Sequence, residues 1–392
     1  MSSEFGSNAG VYLNNAATTW PKPPSVVSAV ADFMTRGGAN LGRGTSSPRD
    51  LGALNVVLDC RIKLMELFGG YDPRYVTFCA NVTEALNVVL KGFLKPGMRV
   101  LSSLMEHNAV VRPLRSLELG GTQLVFAECS RRGFLDPLDV RRLLGTTRFD
   151  LVVLSHASNV CGTVQPLGEI AEICREASVP LILDSAQTAG ILPISARELG
   201  LSAVCFTGHK GLMAPQGIGG IVWKPEFAER VAPLVEGGTG SYSHVEFQPS
   251  DMPDKFESGT PNLPGIAGLH AALVWLEETG IGRIEDKERR LGERFLEKMQ
   301  RHAGAVLYGM PTMSGRLPVF SLNFEGADNS VLADELAVRG FETRPGLHCA
   351  PLAHKTLGSF PQGSLRVSLG YFNTPEEIGA FWEAIAECTR KS

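Results

Sequence analysis

Leu181-Ile182-Leu183-Asp184-Ser185-Ala186-Gln187 begins as a short apolar run and ends in small and polar residues. Ala203-Val204-Cys205-Phe206-Thr207-Gly208-His209-Lys210-Gly211 does the same, and its lysine stands 26 positions (210 − 184) after the aspartate. Each run reads as a strand buried on both faces. An aspartate at the carboxyl end of such a strand points into the crevice where α/β sheets bind ligands, though it could equally cap the next helix. A lysine at a strand exit among small residues is placed to be a reactive amine, because desolvation lowers its pKa. Taken alone, it reads better as a solvated loop lysine.

Outward from this pair, short apolar runs alternate with amphipathic stretches. Strands are expected at Tyr75–Cys79, Arg99–Ser103, Gln123–Ala127, Leu151–Leu154 and Ile218–Trp223. Helices are expected over Thr83–Leu94 and Leu167–Ala177, and from Asn108 and Pro137. Strands spaced by helical periods imply right-handed βαβ units and a mostly parallel sheet, the α/β class. The stretch from Glu226 to Pro264 is rich in Gly, Ser and Pro and lacks periodicity, which is uncommon unless it has a function. Beyond it, helices (Ile266–Glu278, Glu285–Arg301, Asn329–Arg339, Pro375–Thr389) and strands (Val319–Phe324, Glu342–Arg344, Leu365–Leu369) form a smaller α+β unit. The expected division is a large domain over 21–261 and a small one over 262–392, joined by the N-terminal segment 1–20.

Composition narrows the functional classes. The 392 residues are 44% apolar and 20% charged, enough to bury a sizeable core. Lys and Arg number 37 against 41 Asp and Glu, a net charge of −4, so nothing points to nucleic acid. No run of about 18 apolar residues suggests a membrane span, and the N-terminus lacks the order of a signal peptide. The eight cysteines are scattered and form no C-x-x-C pair, which argues against a disulfide framework and a structural zinc site. A reducing cytoplasm is the expected compartment, and no metal is expected.

An Asp and a Lys at neighbouring strand ends match the needs of pyridoxal phosphate, a lysine for its Schiff base and a carboxylate for its pyridinium nitrogen. Asn81-Val82-Thr83-Glu84 resembles a capping box, whose exposed backbone N–H groups would bind the phosphate. It could also be a cap without a ligand. Thr207 and His209 flank the lysine and could add donors.

In order along the chain, YLNNAATT, NVTEALN, MEHNAVVRP, SHASNVCGT, LILDSAQTAG, FTGHKGL, FESGTPN, RPGLHCAPLAH and LRVSLGYFNT resemble the motifs of the class V aminotransferase family. Within it they are similar to the cysteine desulfurase and selenocysteine lyase branch. They span roughly Tyr12 to Thr374. The resemblance implies a fold type I pyridoxal phosphate enzyme with a seven-stranded large-domain sheet and a homodimeric assembly.

The roles of individual residues are likewise implied by the resemblance. Lys210 carries the Schiff base, Asp184 pairs with the pyridine nitrogen, and Gln187 bonds the ring's phenolic oxygen. His107 stacks on the ring and moves protons. Val82, Thr83, Thr207 and His209 hold the phosphate, and Thr260 reaches the phosphate of the neighbouring subunit. Asn159 lies near both cofactor and substrate, Asn15 lies near the substrate, and Arg366 holds the substrate's carboxylate. Cys349 matches the persulfide-forming cysteine; His348 beside it reads as a loop histidine. The implied reaction takes sulfur from L-cysteine, gives alanine and leaves a persulfide for an acceptor protein.

Selenocysteine lyase, a cystine or cysteine C–S lyase or another reaction on the same scaffold are the alternatives, and a binding protein that has lost its chemistry is a further one. Two departures bear on substrate. The N-terminal motif has Asn14 where the family commonly has aspartate. The Gly-Arg-Gly element at 42–44 lacks the histidine that relatives often place soon after.

Overall fold

The computed structural model describes residues 10–37, 39, 41 and 47–389. The Gly-Arg-Gly element at 42–44 lies outside them. The chain opens with β1 (Val11–Tyr12), α1 (Pro24–Asp32) and α2 (Pro48–Leu67). Both helices start on proline, whose missing N–H costs nothing in a first turn. There follow β2 (Val76–Cys79), α3 (Val82–Phe93), β3 (Arg99–Ser103), α4 (Asn108–Leu119), β4 (Gln123–Ala127), α5 (Pro137–Thr146), β5 (Leu151–Ser155), α6 (Leu167–Glu176) and β6 (Leu181–Asp184). Then come α7 (Ala196–Leu199), β7 (Ala203–Thr207), β8 (Gly219–Trp223) and α8 (Pro225–Ala228).

These strands form one sheet of seven in the order β2-β8-β7-β6-β5-β3-β4, in which only β8 runs against its neighbours. Strand alternation sends successive side chains to opposite faces. Leu181, Leu183, Val204 and Phe206 therefore enter one apolar layer, with α6 and α2. Ile182, Ala203 and Cys205 enter the other, with α3 and α4. The reading of strands covered on both sides holds.

The remaining elements are α9 (Leu263–Thr279), α10 (Ile281–Gln300), β9 (Ala305–Tyr308), β10 (Val319–Phe324), α11 (Asn329–Val338), β11 (Phe341–Glu342), β12 (Arg344–Gly346), α12 (Pro351–Leu357), β13 (Ser364–Ser368) and α13 (Pro375–Thr389). A second sheet runs β12-β13-β10-β9, all antiparallel. It packs on α10, α11 and α13 through Phe295, Phe320, Leu336, Val367 and Phe381. The N-terminal segment joins this unit: β1 pairs in parallel with β11, and Leu13 is buried in the same cluster. Helix α9 turns the other way. Its Leu263, Ile266, Leu269, Leu273 and Leu276 sit in the large unit's core.

From Glu229 to Asn262 the chain forms neither helix nor strand. A buried ion pair anchors it. Arg61 of α2 grips Glu257 through two N–H groups at 2.8 and 2.6 Å, and the N–H of Phe78 donates to the same carboxylate at 2.6 Å. Such a bidentate, charge-assisted contact fixes direction as well as position.

Candidate active site

The site forms where the strands of the large sheet end and the smaller unit begins. Asp184, the last residue of β6, is buried and accepts the N–H of Ala186 at 2.9 Å. Burial raises its carboxyl above the usual range, while that N–H and nearby Lys210 pull the other way. Lys210 follows β7. Burial lowers its amine to about 8, with Asp184 opposing and Arg366 and Arg344 assisting. Strands β6 and β7 are parallel neighbours, so Asp184 and Lys210 follow from adjacent strand ends.

His107 caps α4, its Nδ1 accepting the N–H of Ala109 at 3.0 Å. That bond puts the ring proton on Nε2. Burial, with the charges of Lys210, Arg366, Arg344 and Arg112, lowers the imidazole to about 4, so it is neutral near pH 7. Gln187 is buried and donates to the carbonyl of Ala16 at 3.2 Å.

One end of the cleft suits an anion. Asn81 accepts the N–H of Glu84 at 3.1 Å, and Glu84 returns a bond to the N–H of Ala80 at 2.6 Å. This capping box leaves the N–H groups of Val82 and Thr83, in the first turn, for an outside acceptor. On the same side, the Thr207 hydroxyl and His209 Nδ1 are buried with no partner. A pair of orphaned polar atoms beside a helix N-terminus is what a phosphate would satisfy. Gly219 permits the approach. A Cβ there would lie 2.7 Å from the carbonyl oxygen of Phe206 and 2.8 Å from the Cα of Asn81.

The smaller unit supplies the facing wall. Arg366 of β13 is buried, donating to the carbonyl of Asn159 at 3.0 Å and to Asn14 Oδ1 at 2.9 Å, while its Nε has no partner. Asn14 therefore receives the arginine where an aspartate would neutralise it. Asn159 donates from its side chain to the carbonyl of His348 at 2.7 Å. Asn15 spends its side chain on the carbonyl of Ser368 at 3.1 Å, on Asn373 at 3.2 Å and on the N–H of Trp20 at 3.3 Å, which ties the N-terminal segment down.

Cys349 is solvent-exposed and lies at φ 56°, next to His348 at φ 49°. Left-handed backbone at two non-glycine residues persists only where surroundings hold it. The holders are visible: Asn108 donates its N–H to the carbonyl of Cys349 at 2.8 Å, and Asn159 holds the carbonyl before it. Thr260 is also exposed, on the rim of a groove lined by Leu54, Leu58 and Val235 rather than in this cleft.

Several contributors carried no sequence signal. His348 is not a loose loop histidine. It is buried, with Nε2 against the carbonyl of Arg344 at 2.9 Å and Nδ1 3.1 Å from His354 Nε2, which in turn contacts Ser359 at 2.7 Å through Nδ1. Lys22, lowered to about 8 by burial, holds the carbonyl of His209 at 2.8 Å and so braces the loop carrying Lys210. Glu106, beside His107, is fully buried. Each of these partners is distant in sequence or hidden inside a motif already assigned to its neighbour. Among the described residues, no three of His, Cys, Asp and Glu gather as a metal site.

Residues 11–381 match the class V aminotransferase family. The chain belongs to that family. A probable cysteine desulfurase of Methanothermobacter thermautotrophicus is 32% identical over 390 residues, covering 96% of this chain and 94% of the relative. The cysteine desulfurase CsdA of Escherichia coli is 30% identical over 386 residues, covering 96% and 94%. The apo structure of a cysteine desulfurase from Thermococcus onnurineus superposes with a TM-score of 0.92 at 28% identity, covering 98% of this chain and 95% of that one. The class V aminotransferase fold, fold type I with its seven-stranded sheet, is therefore the fold of this chain.

Proposed function

We propose that this chain is a cysteine desulfurase that binds pyridoxal 5′-phosphate, takes sulfur from L-cysteine and releases alanine. The observation that supports the reading is the pair of orphaned polar atoms, Thr207 hydroxyl and His209 Nδ1, beside Lys210 and the N-terminus of α3, with the Cys349 loop tied to Arg366 through Asn159. Val82, Thr83, Thr207 and His209 would hold the phosphate, Asp184 the ring nitrogen, Gln187 the phenolic oxygen, and Lys210 the Schiff base. Bound there, the cofactor supplies an electron sink for the pair left on Cα when an amino acid loses its proton.

The chain's own groups account for the rest. Lys210, held near 8, is partly unprotonated at neutral pH and can take the Cα proton. Arg366 offers a planar fork for the substrate carboxylate, and its unpartnered Nε is one free donor. Asn159 links that arginine to the cysteine loop. Cys349 attacks the substrate sulfur as a thiolate: an S–S bond forms, the Cβ–S bond breaks, and its electron pair ends on the alanine carbon, which takes a proton. His107 keeps a proton on Nε2 within this cleft. The persulfide then sits on an exposed residue, open to an acceptor protein.

The assembly proposed is a homodimer in which Thr260 reaches the partner's phosphate. The proposed compartment is the cytoplasm, in keeping with eight free cysteines. No helix among the described residues is long and apolar enough to cross a membrane.

Purified protein incubated with L-cysteine and no reductant tests the reading. Alanine should appear, with one sulfur added to Cys349 by intact mass and peptide mapping. Cys349→Ser should abolish the added sulfur, and Lys210→Ala should abolish alanine. Pyruvate with an unmodified Cys349 would instead make the protein a C–S lyase.

A further inference from the structure

Ser155 ends β5 between two buried carboxyl groups. Its hydroxyl lies 2.7 Å from Glu106 Oε2 and 3.3 Å from Asp184 Oδ2. Its N–H also donates to Glu106 Oε2, at 2.8 Å, and the Ser103 hydroxyl donates to Oε1 at 2.6 Å. Glu106 is 0% exposed and Asp184 4%. The other ionisable group facing Glu106 is the Cys129 thiol, itself pushed up to about 12 by burial. Among the described residues, the cation that acts on this pair is Lys210, through Asp184.

Two carboxyls this close in an apolar interior resist ionising together, and they take up protons as a unit. Asp184 has Lys210 to sustain its charge. Among the described residues the donors to Glu106 are the neutral groups of Ser103 and Ser155, and burial, with Asp184 adding, raises it to about 7. Glu106 is therefore the member that keeps a proton near neutrality. The turn Met105-Glu106-His107 thus sends one side chain to the cleft and its neighbour to the carboxylate beneath it.

We propose that Glu106 is a positioning residue for the cofactor's ring nitrogen: through Ser155 it sets how firmly Asp184 holds the negative charge that pairs with that nitrogen. The inference rests on the pyridoxal phosphate reading above. With Glu106 neutral, the pair carries one charge, on Asp184. When Glu106 ionises, a second charge enters the same buried space, and the shared Ser155 hydroxyl is drawn to Glu106 and away from Asp184. Every basic group in the cleft then binds its proton more tightly.

The test is the visible absorbance of the loaded protein as a function of pH. Glu106→Gln keeps the shape of the neutral acid and removes the titration. Its curve should overlay wild type below about pH 6 and depart above about pH 8, about one unit either side of the residue's midpoint. Ser103→Ala removes a bond that favours the charged form, so the wild-type inflection should move up by about one pH unit. If Glu106→Gln fails to fold, Ser103→Ala alone decides. Curves of identical shape in wild type and variants, even with altered melting temperatures, would overturn the inference and leave Glu106 a packing residue. A wild-type protein with no visible absorbance after loading would overturn the cofactor reading on which it stands.

Discussion

Glu288 of α10 is buried at 3% exposure, takes a bond from the backbone N–H of Tyr371, and leaves Oε2 with no partner. Burial raises its carboxyl to about 8, against which Lys287 acts only weakly. The folded protein holds this proton where the unfolded chain, with an ordinary carboxyl near 4.5, has released it. Stability from this group is therefore full below about pH 4.5 and is lost as pH rises toward 8. Glu288→Gln should remove that slope, so its unfolding free energy relative to wild type should rise between pH 5 and pH 8.5, by on the order of 4 kcal/mol. Parallel pH profiles for the two proteins would show the carboxyl to be ordinary. Glu288 illustrates which residues a sequence conceals. Asp184 and Lys210 were legible because each ends an apolar strand, a local signal. Glu106, Glu288 and His354 were not, because their character comes from partners brought near only by folding.

At the scale of elements, helices and strands with one clean period were read nearly to their ends, and the capping box that opens α3 appeared in four letters of sequence. Helix α2 escaped because it is apolar on two sides. Ala53, Val57, Cys60 and Leu64 face the core, while Leu51, Leu54, Leu58 and Ile62 face outward, so the polar stripe of Asn55, Asp59, Lys63 and Glu66 is narrow and flanked by leucines on its open side. Strand β9 escaped because its four residues are all partly open, without the alternation of a half-buried strand. The meeting of α3 with β8 gives a test of the anion end of the cleft. Gly219→Ala would drive a methyl group into backbone atoms of Phe206 and Asn81, which cannot yield as a flexible side chain can. The expected cost is about 1–3 kcal/mol of stability. Displacing the first turn of α3 should also weaken cofactor affinity several-fold, read by titrating the apoprotein with pyridoxal phosphate. A variant with wild-type affinity would remove the α3 N-terminus from the phosphate site.

The whole molecule carries an apolar surface that a lone chain leaves wet. Leu51, Leu54, Leu58 and Ile62 of α2 are 44%, 40%, 47% and 39% exposed, at the spacing of one helix face. Leu51, Leu54 and Leu58 line a groove with Leu234, Val235 and the exposed Thr260. Patches of this kind on a soluble protein mark interaction sites. A second copy seated here would cover the stripe and could bring each Thr260 toward the other copy's phosphate, which links assembly to cofactor binding. The loaded protein should therefore sediment with the mass of two chains. The double variant Leu54→Glu and Leu58→Glu should sediment as one chain with unchanged far-UV circular dichroism, since neither side chain contributes to the core. Its affinity for pyridoxal phosphate should fall about tenfold, the equivalent of one lost hydrogen bond to a charged group at about 1.4 kcal/mol. Thr260→Ala should lose a similar factor while remaining a dimer, which separates the hydroxyl from the assembly that delivers it. If the double variant were monomeric yet bound the cofactor as tightly as wild type, Thr260 would have no part in the neighbouring site.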